Sequence, residues 1–227
     1  IITLIAFISS VYSQAQHINY QRFLVDAGAG YGIVASLDDP KFSYDLKNEM
    51  NAEDLSGVLF EMGAYYRVSF DSRSLVGIKT NYTKVDAENH NLATVNNLNS
   101  ISYINIQSER EVFFIGPSYM YEVTSYSGKV ASALSLTPGL MMANSIYTES
   151  NKTETKLNAS GFGLNFLASA SYKIAGPLAF YIKVGGTYAN ISKFDLETKT
   201  GSYFEGSENR KLSFIRIEPT LGFRLKI

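Results

Sequence analysis

The sequence contains no cysteine and no tryptophan, and its only histidines are His17 and His90. Disulfide frameworks, thiolate zinc sites and cysteine nucleophiles are therefore excluded, as is a metal site built from several histidines. The 20 Lys and Arg nearly cancel the 21 Asp and Glu, so no basic excess draws the chain to nucleic acid. No run of 18 apolar residues occurs, and the sequence predicts no transmembrane helix.

The first residues favour export. Residues 1–8 (IITLIAFI) are apolar, and small and polar residues follow, with Val11 and Ser13 at the positions that a signal peptidase reads. We interpret residues 1–13 as part of a signal peptide and residues 14–227 as the exported domain. A buried first strand or helix is the alternative.

Alternation of apolar and polar residues dominates the rest of the chain. In 57–70 the even positions are apolar, and the odd positions include Glu61, Gly63, Arg67 and Ser69. The segment 161–174 repeats this alternation, and 211–227 does so with the apolar residues at odd positions. A period of two predicts strands. We count eight such segments, at about 22–36, 57–70, 75–86, 109–123, 130–147, 161–174, 178–191 and 211–227.

The connections between these segments alternate in length. Three are short turns rich in Ser, Gly, Asp and Pro, and four are long and polar, namely 37–56, 87–108, 148–160 and 192–210. An antiparallel barrel with the turns on one rim and the long loops on the other gives this order. The sequence therefore predicts an all-β, eight-stranded, antiparallel up-and-down β-barrel with both termini on the short-turn rim.

The two faces of the predicted strands indicate that lipid surrounds the predicted barrel. The apolar face runs for about seven alternate positions per strand, more than a tilted membrane strand needs. The polar face is rich in Gly, Ser, Thr and Tyr, which suits a narrow lumen. Aromatic residues predict two girdles, one on the long-loop side (Tyr31, Phe60, Tyr82, Phe113, Phe162, Tyr188) and one on the short-turn side (Phe23, Phe70, Tyr119, Tyr121, Tyr172, Phe180, Phe223). A soluble exported ligand-binding barrel with the faces inverted is the weaker alternative.

With these features the chain resembles the small bacterial outer-membrane β-barrels of the OmpA/OmpX type. The closing Phe223-x-Leu225-x-Ile227 is similar to the signal that barrel-assembly machinery reads, although the family usually ends on an aromatic residue. The resemblance implies an outer-membrane location with periplasmic termini and extracellular loops. It also implies contact with outer-membrane lipid and lipopolysaccharide. No segment resembles the peptidoglycan-binding domain of the OmpA group, so that role is not expected.

Ten charged residues fall on the predicted inward face. Glu61 should face Lys79 across neighbouring strands, and Lys183 should face Glu218. Buried charges must be paired, and an eight-stranded barrel leaves little room, so we interpret them as a structural plug. A proton or ion path is the alternative. The ten are Asp26, Glu61, Arg67, Lys79, Glu122, Lys173, Lys183, Arg216, Glu218 and Arg224.

The positions of certain glycines and prolines lead to two further predictions. Gly28-x-Gly30-x-Gly32 has the wrong spacing for a phosphate loop and lies inside an alternating segment, so it predicts a lumen-facing glycine stripe. Pro117, Pro138 and Pro219 lie on the apolar face inside predicted strands, where proline removes a ladder donor. We expect local β-bulges at these prolines; a broken strand would overturn the count of eight.

Two functional classes follow. The first is a non-enzymatic barrel without cofactor or metal, which acts in envelope integrity, adhesion or docking through its loops, with a protein as possible partner. The alternative is a lipid A deacylase or acyltransferase with a site at the outer rim. Its nearest residue set is His90 with Glu88 and either Ser100 or Ser102.

Overall fold

A computed structural model describes residues 21–38, 56–68, 73–95, 101–149, 154–198 and 212–227. In these ranges the chain forms eight β-strands, and no helix there is long and apolar enough to cross a membrane. The predicted signal peptide and Phe70 lie outside the described residues. The strands are β1 (Phe23–Asp38), β2 (Gly57–Arg67), β3 (Ser74–Val95), β4 (Ile101–Thr124), β5 (Val130–Glu149), β6 (Glu154–Ala175), β7 (Leu178–Thr198) and β8 (Leu212–Lys226).

Each strand pairs antiparallel with its neighbours in chain order, and β1 pairs with β8 to close the barrel. The register at closure runs from Leu24 opposite Lys226 to Asp38 opposite Ser213, with one irregularity between Val34 and Ser36. Unpaired backbone N–H and C=O groups are costly in lipid. A closed sheet pairs these groups and leaves no exposed edge. The predicted all-β, eight-stranded up-and-down barrel is confirmed.

Alternate side chains face out and in along every strand. On β2 the inward residues are buried and the outward residues are exposed without interruption from Gly57 to Arg67. Outward apolar side chains are largely exposed, for example Phe162 at 74% and Ile78 at 60%, whereas charged residues such as Glu61 are buried. This arrangement is opposite to that of a soluble ligand-binding barrel.

The apolar band fits a bilayer. On β6 the outward residues from Phe162 to Ile174 are aromatic, aliphatic or alanine. Twelve residue steps cover about 40 Å along a strand, or about 28 Å along the membrane normal at a tilt of about 45°. This height is close to the band of about 25 Å that outer-membrane barrels present to lipid.

Several strands continue past this band, beyond the predicted bounds. β3 runs to Val95 and β4 starts at Ile101, so most of the segment 87–108, predicted as a loop, is a paired β-hairpin. β6 and β7 likewise extend into the predicted loops 148–160 and 192–210. Apolar alternation does not predict these parts, because it ends where lipid ends. Backbone pairing in a hairpin needs no apolar face.

The extension comprises five strands. In the described residues, the pairing of β2 with β3 ends at Lys84, and the pairing of β8 with β7 ends at Ile191, opposite Leu212, where the description of β8 begins. Beyond these residues, β3, β4, β5, β6 and β7 continue as five neighbouring strands. In the described part of the chain, the ends of β3 and β7 therefore have one strand neighbour each.

The three prolines lie within continuous strands, and none is a bulge. On β4 and β5, Ile115 pairs with Leu140 and Tyr119 with Leu136, so the register is the same on both sides of the interruption. No residue is inserted, and Pro117 lies opposite Pro138. Pro219 lies in a similar interruption of the β1–β8 ladder, again without a register shift. The expected bulges are wrong because the missing donors remove hydrogen bonds locally and leave the residue count unchanged.

Candidate functional site

The lumen is occupied by a buried network of charged side chains. Of the ten predicted inward charges, nine are buried and Lys173 is exposed at the short-turn rim. These nine comprise five cations and four anions. Inward parity of the strands directs them into a space too narrow for bulk water, where each charge requires partners.

The half of the network toward the short-turn end is centred on Asp26 and Glu122. Arg224 donates two hydrogen bonds to Asp26, at 2.8 and 2.9 Å, and a third to Glu122 at 3.1 Å. Arg67 and Lys226 contact the same Glu122, each at 2.9 Å. Every oxygen of these two carboxylates thus meets a cation in the barrel.

Glu61 joins this half to the middle of the lumen. Its Oε1 accepts hydrogen bonds from the Lys183 ammonium at 2.7 Å and the Tyr181 hydroxyl at 2.8 Å. Its Oε2 lies 3.4 Å from Lys79 Nζ, which agrees with the expected cross-strand pair. Lys183 also contacts Asp26 at 3.0 Å.

The expected pair of Lys183 with Glu218 does not form. Lys183 bonds across the bore to Glu61 and Asp26, and Glu218 bonds to Arg216 at 2.7 Å. In a narrow barrel a long side chain reaches the far wall as easily as the next strand. Neighbour register therefore does not decide its partner.

Neutral polar side chains complete the half toward the long loops. Glu218 accepts hydrogen bonds from Thr187 at 2.5 Å, Asn165 at 2.9 Å and Asn81 at 3.1 Å. Lys79 donates to Asn165 at 2.9 Å, and Arg216 donates to Thr83 at 2.6 Å. These amides and hydroxyls were not predicted from the sequence, although their inward parity and alternation with apolar residues could have indicated them.

Glycine leaves the room that this network occupies. Gly28 and Gly222 are register partners on β1 and β8, and a Cβ on either would collide with the Tyr181 hydroxyl. A Cβ on Gly32 would meet the side chain of Arg216 at 2.8 Å. The glycine stripe thus lies against the bulkiest lumen residues, and the phosphate-loop interpretation has no support.

Apolar clusters lie on the same inward face. One consists of Phe114, Met141 and Ala189, with Val112 packed against it. The other consists of Leu24, Tyr65, Leu75, Met120 and Ala133. Together with the charged network, these clusters fill the lumen with side chains, as an eight-stranded bore predicts.

The predicted girdle residues fall into rows on the outer wall. Phe60, Tyr82 and Phe113 are successive register partners across β2, β3 and β4 toward the long loops. Tyr172, Phe180 and Phe223 form the matching row across β6, β7 and β8 toward the short turns, with the Phe180 and Phe223 rings 6.0 Å apart. Phe23, Tyr31, Tyr119, Phe162 and Tyr188 are also outward and exposed, and Tyr121 is half-buried.

The backbone separates His90 from Ser102, one of the two serines considered for catalysis. His90 is on β3, at the register shift of the β3–β4 ladder. There the two residues between Asn89 and Leu92 lie opposite a single residue of β4. Ser102 is opposite Thr94, four residues farther along β3, or about 13 Å at about 3.3 Å per residue. Ser100 lies outside the described residues. Across the described ranges, no group of three or more His, Asp or Glu residues is placed to hold a metal ion.

Solved structures share this architecture at low sequence identity. A major outer membrane protein from Thermus thermophilus aligns over 91% of this chain and 98% of its own, with 11% identity and a TM-score of 0.55. The outer membrane protease OmpT from Escherichia coli aligns over 95% and 100%, with 6% identity and a TM-score of 0.54. Neisserial surface protein A aligns over 90% and 97%, with 17% identity and a TM-score of 0.45.

No protein-family model and no curated protein matches the sequence. The likeness is therefore one of fold, and it agrees with the exposed apolar band and the filled polar lumen described above. In fold, the chain is a small eight-stranded β-barrel of the bacterial outer-membrane type.

Proposed function

We propose that this protein is a non-enzymatic barrel of the bacterial outer membrane that binds a protein partner outside the cell. Its termini and short turns would lie in the periplasm, and the long loops and the five-stranded extension would lie outside. Lipid and lipopolysaccharide would surround the apolar band, and barrel-assembly machinery would insert it.

The extension beyond the lipid-facing band carries this proposal. Tyr82 marks the boundary, because its hydroxyl donates a hydrogen bond of 2.7 Å to Glu111 while apolar residues lie below it on the outer wall. Just above, Lys84 lies 3.5 Å from Asp86 and 4.0 Å from Glu109, all exposed. Charged outward residues are costly in lipid, so the strands from this level onward belong in water.

Crossing the membrane does not require this extension. In the extension β3, β4, β5, β6 and β7 pair with one another and form a rigid scaffold. Loops on a rigid scaffold suit adhesion or docking.

A hairpin deletion tests the proposal. Asp86 and Glu109 are register partners, so residues 87–108 can be replaced by Asn-Gly, which closes a two-residue hairpin turn. Gel mobility with and without boiling first establishes that wild type and variant both form SDS-resistant barrels. Cells displaying the wild type should then adhere to immobilised surface proteins or to one another, and cells displaying the variant should not. Equal adhesion would refute a role for the extension.

The enzymatic alternative has its own measurement. Mass spectra of lipid A are compared among cells without the protein, with the wild type and with His90→Ala. Identical spectra support the non-enzymatic proposal. A modification made by the wild type and lost in His90→Ala would overturn it.

A further inference from the structure

The short-turn end of the barrel contains a cavity that the proposed function does not use. Its volume is about 140 Å³, several times the share of one water molecule. The turns between β4 and β5 and between β6 and β7 border it, together with the end of β8. Its described lining includes Arg67, Glu122, Lys129, Ser171, Lys173 and Lys226.

The floor of this cavity is a carboxylate with an excess of cations. Glu122 is fully buried, and Arg67, Arg224 and Lys226 contact it at 2.9, 3.1 and 2.9 Å. Arg224 is shared with Asp26, but Arg67 and Lys226 both line the cavity. The single negative charge on the floor is therefore more than balanced.

Two lysines at the lip add to this positive charge. Lys129 and Lys173 are neighbours, because the Lys173 N–H donates a hydrogen bond of 2.7 Å to the Lys129 carbonyl. Both are exposed, and neither forms an ion pair with any described residue. Among the described lining residues there are four cations, Arg67, Lys129, Lys173 and Lys226, and one anion, Glu122, an excess of three positive charges.

We propose that this short-turn mouth binds a phosphate group. An excess of three charges favours a dianion over a monoanion, and the cavity has room for several heavy atoms. Lysine ammonium groups are point charges that suit phosphate, and Arg67 supplies a planar donor beside them.

The direction of the cations favours a water-borne phosphate over a lipid headgroup. On β6, Lys173 has the same inward parity as the buried Ser171. On β8, Lys226 has the same inward parity as the buried Arg224. Both lysines therefore point to the barrel axis. Lipid headgroups gather around the outer wall. In the proposed orientation, the mouth would open to the periplasm, but phosphate binding itself does not depend on that orientation.

Titration with inorganic phosphate tests the site. The full chain in maltoside detergent, at constant ionic strength, should bind phosphate saturably at one site by isothermal titration calorimetry. Lys129→Gln combined with Lys173→Gln should weaken binding about tenfold, since two charge contacts are lost. Lys84→Gln, an exposed lysine at the opposite end, should leave it unchanged. Because neither lip lysine has an ion partner in the described structure, we expect the double variant to keep its heat-dependent gel shift.

Further titrations identify the source of the phosphate. Tighter binding of glycerol phosphate than of short-chain phosphatidic acid supports a water-borne ligand, and the reverse order assigns the site to a lipid headgroup. The phosphate site itself is refuted if no saturable binding occurs, if acetate binds as well as phosphate, or if Lys84→Gln weakens binding as much as the double variant.

Discussion

Asp26 on β1 and Arg224 on β8 are direct register partners at the seam where the first and last strands meet, and two hydrogen bonds of 2.8 and 2.9 Å join them. Neither side chain is exposed. The two residues are 198 positions apart in the chain, so the pair forms only when the barrel closes. The pair therefore stabilises the pairing of β1 with β8 from inside the lumen.

Asp26→Asn should therefore destabilise the barrel strongly. The change leaves Arg224 and Lys183 without their shared carboxylate, and breaking a buried pair from one side costs about 3–5 kcal/mol. The measurement is the folded gel band against urea concentration in lipid vesicles. Asp86→Asn is the control: its exposed contact with Lys84 should contribute at most about 1 kcal/mol. Similar losses for both variants would show that the seam pair has no special role.

Gly28→Ala should destabilise the barrel through overpacking. An added Cβ would lie 2.3 Å from the Tyr181 hydroxyl and 2.6 Å from the Leu221 carbonyl oxygen, so a side chain and a strand must both shift. Such strain costs about 1–3 kcal/mol. The same urea titration measures it, with Ala27→Val on the lipid-facing side as the control. An unchanged urea midpoint for Gly28→Ala would mean that the barrel accommodates the added methyl group with no loss of stability.

Periodicity alone predicted the strand number and the direction of most lumen charges, since parity assigns Glu61 and Arg216 to the same side without any knowledge of partners. Partners across the bore were beyond that argument. Lys183 meets Asp26 and Glu61 because closure brings β1, β2 and β7 around one narrow space. Lys173 keeps the inward parity of β6 but is exposed, because the strand ends near it at the rim.

The extension was missed for a different physical reason. Apolar alternation reports contact with lipid or core, and on β3 it ends at the level of Lys84 and Asp86, which are exposed and charged, so the predicted segment stopped at residue 86. Backbone hydrogen bonds continue the β3–β4 ladder to Val95 and Ile101 regardless. The sequence therefore located His90 in a loop, whereas the structure locates it within a strand.

Removing one charge pair from the lumen should make the barrel leak. In vesicles the wild type should hold a proton gradient as well as lipid alone, because side chains fill the bore. Arg216→Ala with Glu218→Ala empties part of the bore while removing one charge of each sign, and should accelerate decay of the gradient several-fold. The matched pair Lys84→Ala with Asp86→Ala has the same spacing on the outer wall and should behave as wild type. Rapid decay in the wild type would favour the ion-path alternative.

Pro138→Ala should stabilise the barrel. Pro117 and Pro138 lie opposite each other where the β4–β5 ladder is interrupted, so neither carbonyl receives a ladder N–H from the other. An N–H at position 138 would satisfy the Pro117 carbonyl, and an unsatisfied buried acceptor costs about 1–3 kcal/mol. The added freedom of the unfolded chain subtracts about 0.4–1 kcal/mol, which leaves a net gain of about 1 kcal/mol. Pro177→Ala, in the β6–β7 turn, measures the entropy loss alone and should lower the urea midpoint slightly. If Pro138→Ala lowered the urea midpoint by the same amount, the β4 and β5 backbones at this level would be too far apart to form the hydrogen bond.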